Sequence, residues 1–141
     1  MRTIAVITAT TLCLGCGDGF GPVPDGKQLS IIDAGTAMSQ DFLSTPETVS
    51  AGAVLIRYNS YGSSSCNVPA GEDVTREGSV VTITAYDAFV APGTACTADF
   101  GRFNRSVTVT LSPGSIELRL RGVVSNSSAV VVELRRPVVV E

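Results

Sequence analysis

Histidine and tryptophan are both missing from the 141 residues, and lysine occurs once, at Lys27. Without histidine the usual neutral-pH general base is gone, and the common serine and cysteine mechanisms go with it. Proton transfer would fall to Asp, Glu, Tyr or a desolvated Lys27. Charge is scarce as well: charged residues make up 16% of the chain and the net charge is -3. Phosphate backbones are held by clustered Lys and Arg, so nucleic acid is not an expected partner. Long apolar runs are lacking too. The valine-rich C-terminal stretch is broken by Glu133, Arg135, Arg136 and Pro137, and a spanning helix needs roughly 20 uninterrupted apolar residues.

What is present suits one small packed domain. The apolar fraction of 44% is ordinary for a globular core. The charges divide along the chain. From Gly17 to Asp99 ten acids stand against Lys27, Arg57 and Arg76, a balance of -7, whereas from Phe100 to Glu141 six arginines stand against three glutamates, a balance of +3. The two halves are expected to attract each other.

The N-terminus has the layout of an export signal: Met1-Arg2, an uncharged and mostly apolar run from Ile4 to Leu14, then Gly15-Cys16-Gly17. Cys13-Leu14-Gly15-Cys16 resembles the lipobox of bacterial lipoproteins, with Cys13 where leucine is usual. The resemblance implies cleavage before Cys16 and modification of its thiol by fatty acyl chains such as palmitate, at about 0.8 kcal/mol of membrane affinity per buried methylene. A Cys-x-x-Cys zinc or redox pair is the other reading. Zinc would need two further ligands from a chain without histidine, and a redox pair would sit inside a fold, not at the end of a signal. The chain therefore divides into a lipoprotein signal (1–15), a Gly/Pro-rich tether (16–26) and a domain (27–141). A bacterial cell-envelope location follows, with the outer membrane favoured because Gly17 is not acidic.

Within the domain, β signals recur at short spacing: 29–32, 53–60, 79–86, 105–111, 115–122 and 129–134. Val107, Val109 and Leu111 alternate with threonines, and Ile116, Leu118 and Leu120 alternate with Glu117, Arg119 and Arg121, so each strand has one apolar face. Ser112-Pro113-Gly114 predicts a hairpin between them. A second hairpin is predicted about Glu77-Gly78, with Val81 and Ile83 facing the core. Only Ala34 to Leu43 has a helical look, and its apolar stripe is narrow. Pro46, Val49 and Gly52 resemble the Pro-x-x-Val-x-x-Gly opening of bacterial immunoglobulin-like domains, where the chain bends from a first strand into a second. The resemblance implies an all-β fold, a single immunoglobulin-like Greek-key β-sandwich of about seven strands. A transthyretin-like or other Greek-key sandwich is the alternative.

Cys66 and Cys96 fall in loops on either side of the second hairpin, the expected pattern of a structural disulfide in an exported protein. Closing a loop of about 30 residues is worth roughly 4 kcal/mol in the chain-entropy account. Among polar groups, Tyr86-Asp87 reads as packing at a strand end, and Glu72, Asp73 and Glu77 read as solvated acids, since no calcium-loop spacing is present. Arg119, Arg121 and Arg135, with Arg102, Arg105 and Arg136 nearby in sequence, form the one candidate ligand face, suited to an anionic polysaccharide or an envelope protein. Cross-strand pairing of Arg with Glu is the competing reading. No cofactor, metal or catalytic set is expected. The chain reads as a non-enzymatic binding or structural module that meets the membrane through its N-terminal lipid. The alternative is a secreted or periplasmic enzyme or inhibitor acting through the disulfide-tied loops, with Tyr61, Asn67, Asp99 and Phe103 as contact residues that tolerate replacement.

Overall fold

A computed structural model describes residues 26–34, 40–90, 95–125 and 127–141. The predicted signal, Cys16 and the tether before Gly26 lie outside the described residues, as does 35–39 of the stretch with a helical look. Nine strands follow in chain order: β1 (Gln28–Leu29), β2 (Ile31–Asp33), β3 (Thr48–Val49), β4 (Gly52–Gly62), β5 (Asn67–Glu77), β6 (Val80–Phe89), β7 (Gly101–Leu111), β8 (Gly114–Val124) and β9 (Ser127–Val140). A single 3₁₀ turn, Asp41–Ser44, is the helical element among the described residues.

The alternation read from the sequence sets which faces are buried. Val109 and Leu111 of β7 and Ile116, Leu118 and Leu120 of β8 are buried, while Thr108 and Thr110 are exposed. All nine strands join one mixed sheet along the path β1-β6-β8-β2-β4-β7, with β5 on β6, β9 on β8 and β3 on β9. The sheet curls on itself. Ile56, Tyr58, Val109 and Leu111 from β4 and β7 share one core with Val81, Ile83, Leu118, Leu120 and Val138 from β6, β8 and β9, and Phe42 of the 3₁₀ turn is buried among them.

The hairpin predicted at Glu77-Gly78 forms. Glu77 pairs with Val80 across Gly78-Ser79, and Gly78 takes φ 60°, the left-handed value that a tight hairpin asks of glycine. The hairpin predicted for 105–121 does not. β7 pairs with β4, from Gly52↔Leu111 to Gly62↔Gly101, and β8 pairs with β9 and, in parallel, with β6. Ser112-Pro113-Gly114 is instead an arch between two parts of the curled sheet, which lets the apolar faces of β7 and β8 meet across the core instead of lying side by side. At Val49 to Gly52 the chain changes partner, from β9 for β3 to β7 for β4, so the bend read from Pro46, Val49 and Gly52 is present. β9 also runs through Pro137, six residues beyond its expected end.

One close approach holds the curl. Beyond Thr84 and Arg121 the parallel pair β6 and β8 separates, and the segment 28–33 fills the gap: β1 pairs with β6, then β2 pairs with β8 and β4. Ser30 donates its N–H to the Ala85 carbonyl and accepts from the Val123 N–H, both at 2.9 Å. Gly122 makes this contact possible, because a Cβ there would stand 2.4 Å from the Ser30 carbonyl oxygen and 2.7 Å from Cγ2 of buried Ile32. Gly122→Ala is therefore expected to lower the unfolding free energy by about 1–3 kcal/mol or more, as overpacking does, read from the midpoint of urea denaturation.

Candidate functional site

The densest polar cluster surrounds Arg105. Two positions before Val107 on β7, its side chain points inward with the apolar residues, and it is 5% exposed. Nη1 donates to Ser30 Oγ (2.9 Å), the Tyr86 carbonyl (3.1 Å) and Asp87 Oδ1 (3.2 Å). Nη2 donates to the Gly71 carbonyl (2.6 Å) and to Glu72 Oε2 (3.2 Å). The guanidinium lies over the Tyr58 ring, 5.2 Å from its centroid, and the Tyr58 hydroxyl donates to Glu72 Oε2 at 3.1 Å. Burial keeps the Tyr58 hydroxyl protonated far above the usual phenol range, with Arg105 opposing and Glu72 adding to the shift. Burial also pushes the Asp87 carboxyl above its usual range, against the pull of Ser30 and Arg105.

Tyr86 is packed at its strand end as expected, but Asp87 beside it is more than packing and Glu72 is not a solvated acid. Asp87 and Glu72 are the counter-charges of a buried arginine. The period-2 pattern carried the signal, since Arg105 falls in phase with Val107, Val109 and Leu111. Asp73 lies close enough to Tyr86 to help raise its hydroxyl pKa, after desolvation.

Arg119, Arg121 and Arg135 share the outward face of β8 and β9, with Arg119 opposite Arg135 and Arg121 opposite Glu133. Arg119 pairs with Glu117 on its own strand and approaches Glu133 at 3.7 Å, and Arg135 approaches Glu133 at 3.6 Å. Arg135 is the most open of these, with its side chain 59% exposed. Burial pushes the Arg121 guanidinium below its usual range, with Glu133 opposing. Arg136 points elsewhere, to the Thr45 carbonyl (2.8 Å) and Glu47 (3.8 Å). Arg105 and Arg136 thus join the basic half of the chain to the acidic half, as the charge division led one to expect.

At the third place, Cys66 and Cys96 form the expected disulfide. Around it the Ser63–Asn67 turn clasps the segment before β7. The Ser63 Oγ donates to the Thr97 carbonyl (3.0 Å), the Thr97 N–H donates to Ser65 Oγ (2.9 Å), and both Asp99 oxygens accept from the Ser64 N–H at 3.3 Å. Hydrogen bonds from Ser64 and Thr97 hold the Asp99 carboxyl below its usual range. Tyr61, read as a replaceable loop contact, is instead the last buried aromatic of β4, 1% exposed and stacked under Phe100 with centroids 5.8 Å apart. Asn67 accepts the Ser63 N–H through its side chain at 3.0 Å, and Phe103 lies half-buried within β7 opposite Ser60.

Among the described residues no group of three or more acids or cysteines is arranged to hold a metal ion, and no helix is long and apolar enough to cross a membrane. Compared with protein-family models, curated proteins and solved structures, the chain matches none.

Two expectations follow from this geometry. Arg105→Ala strands two carboxylates and should cost about 3–5 kcal/mol, as breaking a buried ion pair does, whereas Arg135→Ala should cost about 0.5 kcal/mol or less; urea denaturation of the two variants reads the contrast. Asp99 has a folded pKa below its ordinary 3.8. Its share of stability is present above that value and is lost as the pH falls through the folded pKa. The stability deficit of Asp99→Asn at neutral pH should accordingly close as the solution is acidified, in denaturation curves taken across the acid range.

Proposed function

We propose that this chain is a lipid-anchored module of the bacterial cell envelope, an immunoglobulin-like β-sandwich that binds or braces and performs no catalysis. The observation that carries the reading is the Cys66–Cys96 disulfide, taken with Cys13-Leu14-Gly15-Cys16 in the sequence. Structural disulfides persist in oxidising compartments, which is where a lipobox delivers its protein. The change of strand partner between Val49 and Gly52 supports the immunoglobulin-like assignment.

The absence of histidine from the sequence supports a non-enzymatic role. So does the engagement of Tyr58, Glu72, Asp87 and Arg105 with one another, since hydrogen bonds and ion pairs inside the protein occupy the groups that chemistry would use. The outward arginines of β8 and β9 are the contact we assign to an anionic polysaccharide or an envelope protein, with Arg135 the most accessible of them.

Intact mass of the full chain extracted from membranes of a bacterial host tests the reading directly. The expected species begins at Cys16, carries added acyl mass and gains the mass of two hydrogen atoms when a reductant supplies two electrons and two protons to the disulfide. A species cut elsewhere and bearing no lipid overturns the anchor and the envelope location together.

A further inference from the structure

The disulfide end of the domain exposes large apolar side chains that the core does not use. Val68, Phe89, Val90 and Phe100 are between 43% and 61% exposed. Phe89 stands opposite Asn67 at the end of the β5–β6 ladder, and Val68 stands opposite Ala88 one step in. The Val90 N–H donates to the Cys66 carbonyl at 3.0 Å, and Phe100 stacks on Tyr61 at the end of β4. These four therefore stand at the disulfide end of the domain, and large apolar side chains left exposed together at one end mark a surface that something covers.

A second observation says what covers it. β1 runs antiparallel to β6 with Gln28 opposite Asp87, so stepping back from Gln28 toward Gly26 advances along β6 toward Phe89. The chain that precedes the domain thus leaves it at this end. Two exposed cations are near: Arg102, opposite Tyr61 on β7, and Lys27, one residue before β1, whose ammonium lies 5.8 Å from the centroid of the Tyr86 ring. Of the acids near this end, Asp99 already accepts hydrogen bonds from Ser64 and Thr97, while Asp33 and Asp41 lie close enough to Tyr61 to add to the rise that burial gives its pKa.

We propose that this end docks on the lipid surface, with Val68, Phe89, Val90 and Phe100 seated at headgroup level. The inference rests on the lipid-anchor reading. The eleven residues from Cys16 to Gly26 reach at most roughly 40 Å when extended. A tether of that length makes docking an intramolecular event at high effective concentration, so a modest apolar contact suffices. Apolar side chains settle at the boundary between headgroups and acyl chains, and cations beside them favour anionic lipid.

The missing tryptophan supplies the test. Phe89→Trp and Phe100→Trp are made separately in the full chain, processed by a bacterial host and reconstituted into phosphatidylethanolamine–phosphatidylglycerol vesicles with brominated acyl chains. Val74→Trp, on the part of β5 far from the disulfide, is the control. The expected result is that all three chains float with the vesicles, while the two phenylalanine replacements alone shift to the blue and lose most of their emission to the bromines. Flotation with Phe89→Trp and Phe100→Trp as bright as the control overturns the docking and leaves the anchor standing. A chain that fails to float overturns both. A blue shift that arises without vesicles and grows with protein concentration assigns the patch to a second copy and also overturns the proposal.

Discussion

The guanidinium of Arg105 reaches from β7 to Gly71 and Glu72 on β5, to Tyr86 and Asp87 on β6, and to Ser30 between β1 and β2. β7 and β5 are two long strands at margins of the curled sheet, each laddered on one side only. No backbone ladder joins them. One side chain does that work instead, and it stands in for the hydrogen bonds that a closed barrel would make. Taking such a charge out of water is costly, and the arrangement is tolerable because five acceptors and an aromatic face receive it. The raised pKa of Asp87 records the cost: desolvation outweighs the attraction of an arginine only 3.2 Å away.

The disulfide acts on the same pair of strands. Cys66 immediately precedes β5, and Cys96 lies five residues before β7. A covalent bond and a buried ion cluster therefore hold the two margins together at one end. At the other end the β5–β6 hairpin stands clear, which is why Val74 is exposed although its partner Ile83 is fully buried. With so much of the polar chemistry consumed by closure, what closure leaves outside is the arginines of β8 and β9 and the exposed apolar side chains at the disulfide end.

Several elements are legible in the residues alone. Alternation placed Val81, Ile83, Val109, Leu111, Ile116, Leu118 and Leu120 in the core, Gly78 placed a hairpin turn, and the loop cysteines announced their bond. The partner of each strand was another matter. Ser112-Pro113-Gly114 suits a tight hairpin, yet it builds an arch, because turn chemistry describes a reversal of direction and not whether the two arms bond to each other. Arg105 is near the surface arginines in sequence, but its phase with Val107 and Val109 is the stronger signal. Gly122 carried no mark, since the neighbour it must clear, Ser30, is far away along the chain.

By itself the sequence determined the class of the protein: an all-β domain, because period-2 alternation has only one economical way to bury its apolar face, with two loop cysteines placed to pair. Tertiary structure alone decided which strands are neighbours, which arginine is swallowed and which end of the domain presents its aromatics. Those outcomes depend on register and curl between segments tens of residues apart. Such long-range pairings are chosen by the fit of whole faces, a quantity that no local stretch of the chain contains.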